Sequence, residues 1–422
     1  MNIKAVIKRN KILLENFSYL SILQIFSLVF PLITYPYLLR LFGLNLYGVI
    51  VFAQAIVMNI SILINYGFNL SGTQLIATKR EDTETINEAV STIYIIKGLI
   101  WLGCFLIYAI VIYSFNYFAQ YRLLYIITYF LTINEVLLPI WYFQGIEKMK
   151  YITFINLSVR SIFVILIFVF VHNASQYFYV PLLNSIGAVA GGISALFIVF
   201  RVHKVRFKFP TRKLIYLYFS NSTPFFISSL SVNVYAYIGK LVVGSFLGMK
   251  EIAMYDMAEK VTSILKIPAS LSSQATFPRI CRIKRIGFVN RIMLITVSFV
   301  TICYVGVFIF TGKIVELLSG ENLPIAVTTI RILAFTAICS CINGFFGSNR
   351  LVVWGYKTIY MKVAISGCFI YLLTLGAFYI TNNISIYSVA SIPLLAESTI
   401  VMIYIWLAQK FNLLIERESI KN

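Results

Sequence analysis

Long apolar runs recur along the whole chain and are separated by short polar segments. Each run is about 20 residues long, enough for a helix to cross ~30 Å of hydrocarbon. The runs are continuous instead of alternating between apolar and polar residues, so they predict helices and exclude a membrane barrel. The predicted class is an all-α, polytopic membrane protein with twelve transmembrane helices. The spans are predicted at residues 16–40, 44–66, 89–115, 121–145, 152–171, 177–200, 215–245, 252–275, 292–311, 324–347, 363–380 and 387–408.

The two halves of the chain resemble each other when one is shifted by 205 residues. Residues 16–43, NFSYLSILQIFSLVFPLITYPYLLRLFG, lie over residues 221–248, NSTPFFISSLSVNVYAYIGKLVVGSFLG. The register continues beyond that point, so that Gly43 meets Gly248 and Ala53 meets Ala258. Chance could produce any one of these pairs, but not easily an unbroken register. An even number of spans in each half implies a parallel duplication, with the substrate expected between the halves. We therefore predict two pseudo-symmetric six-helix lobes, residues 1–208 and 209–422, around a central cavity.

Charge distribution orients the chain in the membrane. The sequence is 60% hydrophobic and only 12% charged, yet its formal net charge is +20. The basic residues follow loops at regular intervals and do not cluster on one soluble face, which excludes nucleic-acid binding as their purpose. With both termini inside, the cytoplasmic segments hold 25 Lys and Arg and the outer ends about 4. The basic N-terminus is expected to be retained as the start of the first helix.

Span eight carries a polar stripe that lipid could not cover cheaply. Its members lie within an arc of ~120° on one helix face: Asp256, Glu259, Lys260, Ser263, Lys266, Ser270 and Gln274. Each charge at the centre of a bilayer costs at least ~2.5–3.5 kcal/mol. The repeat offset maps Glu259, Lys266 and Ser270 onto Gln54, Ser61 and Asn65 of span two. We therefore expect both polar faces to border one central cavity.

Basic residues outnumber acidic residues inside the spans. The bases are Lys97, Arg160, Lys240, Lys260, Lys266 and Arg331, and the acids are Glu135, Asp256, Glu259 and Glu397. A cavity with surplus positive charge favours an anionic substrate such as a diphosphate. The substrate-binding cations predicted on this basis are Lys97, Arg160, Lys240, Lys266 and Arg331.

Several of these charges also have structural interpretations. Lys240 lies near the outer end of its span and is expected to snorkel, and for Arg331 snorkelling and function are both open. Asp256 and Lys260 could neutralise each other as an i,i+4 pair.

Glu135 and Arg160 could form an ion pair between neighbouring helices. Glu135 and Glu397, with Asp256, are alternative candidates for coupling to an ion gradient.

Other chemistry is not indicated by the sequence. It contains no P-loop motif, and its two histidines, His172 and His203, both lie near loops. The six cysteines show no metal-binding spacing and are expected to be small buried hydrophobes. We therefore predict no metal, no cofactor and no enzyme site.

The segment WYFQGIEKMKYITFINLSVR, residues 141–160, resembles a stretch of bacterial polysaccharide-repeat flippases of the O-antigen (Wzx) type. The matching residues are Trp141, Phe143, Gln144, Gly145, Glu147, Lys148, Met149 and Asn156. A second similar region runs through spans seven and eight and includes Tyr255, Glu259, Lys260, Pro268 and Pro278. The six-plus-six layout is similar to the multidrug/oligosaccharidyl-lipid/polysaccharide exporter superfamily.

The resemblance implies a flippase that moves undecaprenyl-diphosphate-linked oligosaccharide across the bacterial inner membrane by alternating access. The product would feed O-antigen or capsule assembly, and a polysaccharide polymerase and a chain-length regulator would be partners. A lipid II flippase and a multidrug or cation antiporter of the same superfamily remain alternatives, although an antiporter would favour acids in the cavity. A membrane-embedded polymerase would be expected to carry a large outer loop, and a non-transporting scaffold would need its buried charges only as pairs.

Overall fold

The computed structural model describes residues 11–414, and every regular element in that range is a helix. The α-helices, in chain order, are α1 Lys11–Asn65, α2 Phe68–Thr78, α3 Thr83–Ser114, α4 Arg122–Tyr129, α5 Ile133–Leu137, α6 Ile140–Gly145, α7 Met149–Phe170, α8 Tyr179–Phe197, α9 Arg212–Val242, α10 Met249–Ile283, α11 Ile286–Ser319, α12 Pro324–Phe346, α13 Lys357–Ile380 and α14 Ile386–Lys410. Short π-helical segments extend α8, α9 and α12: Ile198–Val202, Val243–Leu247 and Gly347–Val352. The basic residues before residue 11 and after residue 414, which entered the charge tally, lie outside the described range.

The predicted fold class is confirmed. Among the described residues, nine helical segments are long and apolar enough to cross a membrane. One of them, Ser21–Thr78, has 58 residues, enough for two crossings. The 35-residue α10 is long enough but is too polar to be among the nine, because it carries the stripe of span eight. The bounds of the elements are consistent with twelve crossings in two halves.

Gly43 and Gly248 show how the duplication reaches the backbone. Gly43 interrupts α1 between the first two spans with φ 69°, and Gly248 precedes α10 with φ 123°. Both values lie in the region that favours glycine. A Cβ on Gly43 would meet nothing within 4 Å, so backbone conformation and not packing requires glycine there. The register that pairs these two glycines therefore marks the same backbone turn in each half.

The chain divides into two compact units. Unit 1 comprises Met1–Phe42 and Val49–Asn233, and unit 2 comprises Gly43–Gly48 and Val234–Asn422. In unit 1, Trp141, Phe143 and Val199 belong to a buried apolar core. Unit 2 has further cores, one around Val300 and Phe345 and one around Tyr404 and Leu407. The predicted boundary between residues 208 and 209 stays a prediction.

Span four is not one continuous helix. It consists of α4, a 3₁₀ turn at Phe130–Thr132, α5 and α6, with Leu138 extended at the break before Pro139. Proline has no N–H and disfavours helical geometry in the residue before it, which explains the break. Side chains from α3 satisfy groups that the break exposes: Tyr94 donates to the Leu137 carbonyl oxygen at 3.4 Å and Trp101 to Thr132 Oγ1 at 2.9 Å.

Small residues let α8 approach its neighbours closely. A Cβ on Gly187 or Gly191 would lie 2.9 or 3.0 Å from the side chain of Val159 on α7. A Cβ on Gly192 would overlap the Leu137 side chain of α5. The three glycines therefore let α8 pack closely against α7 and α5, as expected for helices packed in lipid. Ser194 takes no part, since it is exposed and its hydroxyl donates to Ala190 within α8.

The segment after α8 is held against the end of unit 1 that carries residues 142–151. His203 Nδ1 and the Tyr142 hydroxyl are 3.1 Å apart and share a hydrogen bond. The imidazole also packs against the rings of Phe143 and Tyr151. Burial lowers the pKa of His203, and the positive charges of Lys148 and Lys150 lower it further. The folded protein therefore favours the neutral imidazole.

Replacing Gly192 by alanine should weaken the packing of α8 on α5. The added methyl group overlaps Leu137, and overpacking of this kind typically costs about 1–3 kcal/mol. We expect a lower midpoint of thermal unfolding in detergent than for the wild type. Gly103→Ala is the matched control, since its Cβ would meet nothing within 4 Å. Equal midpoints for the two variants would show that the α8–α5 contact does not depend on glycine.

Acidification should destabilise unit 1 through His203. A base whose pKa is lowered by folding contributes stability above its unfolded pKa of ~6.5, and that contribution is lost as the pH falls from this value through the lower pKa of the folded state. The wild type should therefore lose more thermal stability between about pH 7.5 and about pH 5.5 than His203→Gln does. His172→Gln, which removes the other histidine, should keep the wild-type pH dependence.

Candidate functional site

Four charged side chains form a neutral network inside unit 2. Lys240 of α9 bridges two carboxylates of α10, with its Nζ 2.8 Å from Asp256 Oδ1 and 2.7 Å from Glu259 Oε2. Lys260 forms an ion pair with the other oxygen of Asp256 and donates to the Tyr47 hydroxyl at 3.1 Å. Asp256 is only 4% exposed. Two positive and two negative charges therefore cancel at a depth where an unpaired charge would be costly.

This network decides between the interpretations of its members. The expectation that Lys240 snorkels is wrong, because two carboxylates on the neighbouring helix lie within ion-pair distance of its ammonium group. The alternative that Asp256 and Lys260 neutralise each other is confirmed. Substrate binding by Lys240, and by the polar side chains of Asp256, Glu259 and Lys260, stays a prediction.

Lys266 continues the polar stripe of α10 but differs from Lys240 and Lys260. It is half-buried, and it has no hydrogen bond or ion pair among the residues that the structure describes. Ser263 donates to Glu259 within its own helix, and the Gln274 side chain lies outside the described residues. Ser270 is half-buried on the same helix.

Glu397 of α14 lies in an oxygen-rich and amide-rich cluster with α12. Ser340 donates to Glu397 Oε1 at 3.0 Å, and the Asn343 side-chain amide donates to Oε2. Asn343 Oδ1 is buried and lacks a partner among the described residues. The carboxylate is thus stabilised by neutral donors, in contrast to Asp256, which pairs with two lysines and also accepts from the Tyr47 hydroxyl at 3.4 Å.

Unit 1 has its own polar cluster at the break in span four. Glu135 Oε2 accepts from the Asn65 amide at 2.9 Å, and Asn65 Oδ1 accepts from the Asn69 backbone N–H at 3.2 Å. Asn65 thereby connects the end of α1, the first turn of α2 and α5. Lys97, 1% exposed, donates from α3 to the Glu135 backbone oxygen at 2.9 Å. The lysine therefore binds a carbonyl group freed by the helix break and lies beside the Glu135 carboxylate.

The structural ion pair proposed between Glu135 and Arg160 is wrong. The partner of the Glu135 carboxylate is Asn65, and the charge beside it is that of Lys97. Arg160 lies in the middle of α7, half-buried, and no ion pair or hydrogen bond involves it among residues 11–414. A guanidinium group at this depth without an acid is available to an anion from outside the protein.

The remaining predicted residues are less distinctive. Gln54 and Ser61 are half-buried on α1. Arg331 lies over the Phe308 ring of α11, 4.5 Å from its centroid, and its Nε has no partner among the described residues. That the polar faces of spans two and eight border one cavity stays a prediction.

One apolar groove of about 440 Å³ lies on unit 1 between α4 and α8. Its lining residues are Ile127, Phe130, Leu182, Ser185, Ile186, Val189, Ala190 and Ile193. None of the predicted site residues is among them, so this groove is separate from the charged residues considered above.

Arg350 is a buried charge that the sequence analysis missed. The predicted orientation places Arg350 in a cytoplasmic loop. In the structure it lies in the π-helical segment Gly347–Val352 and is 0% exposed. Its guanidinium group stacks over Phe346 at 4.2 Å and donates to Asn290. Its Nε and Nη1 have no partner among the described residues. Only its position three residues after the predicted end of span ten could have indicated burial.

The comparisons with known proteins agree with this architecture. A family model described as polysaccharide biosynthesis protein matches residues 13–284. The chain is 24% identical over 351 residues to a Shigella dysenteriae protein named "Putative O-antigen transporter", covering 82% of this chain and 87% of that protein. A protein of the same name from Escherichia coli (strain K12) is 25% identical over 386 residues, with 86% and 89% coverage.

A solved structure shares the fold. It is the inward-facing conformation of a multidrug resistance MATE family transporter of the MOP superfamily, with a TM-score of 0.63 and 12% identity. The similarity covers 93% of this chain and 98% of that chain. At this level of identity it shows the fold alone.

Removing one member of the neutral network should cost more than removing a matched pair. Lys240→Met leaves the buried Asp256 and the half-buried Glu259 with Lys260 as their one remaining counter-charge in the network, and breaking a buried pair typically costs about 3–5 kcal/mol. Combining it with Glu259→Gln should recover part of the loss, because the remaining Asp256 and Lys260 still pair. Thermal unfolding of the two single variants and the double variant measures the coupling. Additive effects would contradict the bridging role of Lys240.

Proposed function

Because the chain belongs to the polysaccharide biosynthesis protein family, we propose that it is a flippase for undecaprenyl-diphosphate-linked oligosaccharide. It is a multi-pass membrane transporter and not an enzyme. The family match and the names of the two relatives support the substrate class. Its place is the bacterial inner membrane, with both termini cytoplasmic, as the distribution of Lys and Arg indicates. Its product supplies O-antigen or capsule assembly, where a polymerase and a chain-length regulator act on it.

One observation carries the choice of an anionic substrate. Lysines and acids cancel each other in the network of Lys240, Asp256, Glu259 and Lys260, but Arg160 and Lys266 have no acidic partner among the described residues. Each lies well inside a helix, where a charge without a partner is expensive. A diphosphate offers such cations charge-assisted hydrogen bonds that a neutral or cationic substrate cannot.

The mechanism proposed is alternating access by two lobes. The diphosphate and glycan enter a hydrated cationic gap, while the isoprenoid tail stays in the bilayer. Lys97, Arg160 and Lys266 attract the diphosphate or acidic sugars. The gap removes the main barrier to crossing, which is the transfer of charged and hydroxyl-rich groups through hydrocarbon. Rocking of the lobes then exchanges the inner opening for the outer one.

Coupling of transport to an ion gradient is assigned to a carboxylate outside the neutral network. Glu135 and Glu397 accept hydrogen bonds from neutral side chains, Asn65 in one case and Ser340 and Asn343 in the other. Either carboxylate can bind a proton or a small cation without breaking an ion pair. Asp256 is a weaker candidate, because its two oxygens already pair with Lys240 and Lys260.

A multidrug or cation antiporter is the second candidate, favoured by the fold it shares with a MATE transporter. A cationic substrate would be repelled by the unpaired cations, which is why we rank this function lower. A lipid II flippase shares the diphosphate chemistry, and complementation of a strain lacking one or the other activity separates the two.

Arg160→Gln and Lys266→Gln should each reduce transport at normal protein levels. One charge-assisted hydrogen bond contributes about 1.5–3 kcal/mol, which corresponds to a loss of about 10-fold to 100-fold. The measurement is surface polysaccharide, together with the lipid-linked intermediate that accumulates on the cytoplasmic side of a deletion strain.

The controls for this experiment either keep the positive charge at the site or remove a positive charge elsewhere. Arg160→Lys and Lys266→Arg retain the positive charge and should retain most activity, and Arg282→Gln removes an exposed cytoplasmic charge and should have no effect. Full activity of the double variant Arg160→Gln/Lys266→Gln would exclude the proposed substrate contacts. Drug resistance that follows the protein, with unchanged surface glycans, would favour the antiporter.

A further inference from the structure

Residues 201–217, here called the linker surface, combine exposed cations with exposed apolar side chains. The exposed cations are Arg201, Lys204, Arg206, Arg212 and Lys213. The large apolar residues are Val202, Phe207, Phe209, Tyr216 and Leu217, each at least 46% exposed. Phe209 reaches 88%, the highest value among the exposed large hydrophobic residues of the described chain. The proposed transport function uses none of these side chains.

The linker surface is anchored, so its exposed side chains have a fixed direction. The Arg206 backbone N–H donates to Asn87 Oδ1 at 2.8 Å, and the Lys208 backbone N–H donates to Ser91 Oγ at 2.9 Å. Val205 is buried in the core of unit 1. Arg206 and Phe209 are exposed on this anchored segment, and the partly exposed Phe207 ring lies between the rings of Phe200 and Phe209.

The charge of the linker surface is not cancelled within the protein. Lys208 pairs with Glu84 at 2.9 Å. The five exposed cations have no ion pair among the described residues. Their positive charge is therefore available to an external anion.

The position of the surface identifies that anion. The apolar segment Ala174–Val202 ends where the surface begins, and the described part of α9 starts at Arg212 with Tyr216 and Leu217 exposed. The surface therefore lies at the boundary between hydrocarbon and water, where aromatic rings and cations are stabilised together. We propose that the linker surface binds the phosphate headgroups of anionic phospholipids in the adjacent leaflet, with Phe207 and Phe209 inserted among the acyl chains. A soluble acidic partner fits less well, because it would have to cover aromatic residues at membrane depth.

A second basic segment provides a control with a comparable charge. Residues 279–291 contain five Lys and Arg, and the linker surface contains six, of which Lys208 is neutralised by Glu84. Their aromatic residue, Phe288, is partly buried against a core of unit 2 and lies under the guanidinium group of Arg279 at 4.9 Å. Lys204 and Lys284 even share positive φ values, 56° and 47°. The two segments thus match in charge but differ in exposed aromatic surface.

The test compares two triple variants of the full chain with equal net charge. Purified protein is titrated with phosphatidylglycerol or phosphatidylcholine in detergent, and bound lipid is counted by native mass spectrometry. Lys204→Gln/Arg206→Gln/Arg212→Gln should weaken phosphatidylglycerol binding by about 10-fold or more, and Arg282→Gln/Lys284→Gln/Arg291→Gln by less than about 2-fold. Equal losses for the two variants would overturn the proposal.

Two further measurements separate the sources of phosphate and test insertion. Inorganic phosphate at millimolar concentration should not displace the lipid, and full displacement would mean a site for free anions. In nanodiscs, the additional fluorescence of Phe209→Trp over the wild type should be quenched by brominated phosphatidylglycerol. Unquenched emission would mean that the ring does not enter the bilayer. If the linker variant bound lipid as the wild type does but no longer captured an acidic protein, the occupant of the linker surface would be a protein and not a lipid.

Discussion

Unsatisfied polar groups in hydrocarbon cost several kcal/mol, and this penalty governs the interior of the protein. The break in span four shows the consequence. Pro139 interrupts the helix, and Lys97, Tyr94 and Trp101 of α3 then supply donors to the exposed groups. The same constraint explains the network of Lys240, Asp256, Glu259 and Lys260, where each charge finds its opposite on a neighbouring helix or one turn away.

The charged groups that lack an ion pair are more informative than those that have one. Arg160 and Lys266 lie within helices and form no ion pair among the described residues, and the Glu135 and Glu397 carboxylates are held by neutral donors. Natural membrane proteins keep such costly groups where they do work on a substrate or ion. The distinction between cancelled and uncancelled charge therefore selects the candidates for a functional role more sharply than charge alone. Burial of a charge alone does not mark a candidate site. Arg350 is buried, but its guanidinium group is held by the Phe346 ring and the Asn290 side-chain amide of its own unit.

Much of the fold was predictable because membrane crossing imposes a length and a composition on each helix. The apolar runs and the equivalence of Gly43 and Gly248 could both be predicted from local sequence. The partners of the charges were harder to predict. The sequence indicated an i,i+4 pair between Asp256 and Lys260 because both lie on one helix. It could not indicate that Lys240 reaches the same cluster from α9, or that Asn65 and not Arg160 binds Glu135.

The sequence by itself determined that the chain is an all-α membrane protein and that positive charge exceeds negative charge inside the predicted spans, and it predicts an orientation from the basic loops. These properties depend on the composition of short segments and on periodicity, which are local. Only the tertiary structure decided which of those charges are neutralised. Pairing depends on the rotation and depth of helices that are far apart in sequence, and a shift of one residue turns a side chain by ~100° around its helix. A list of charges inside spans therefore becomes a site only when the packing shows which of them remain unpaired.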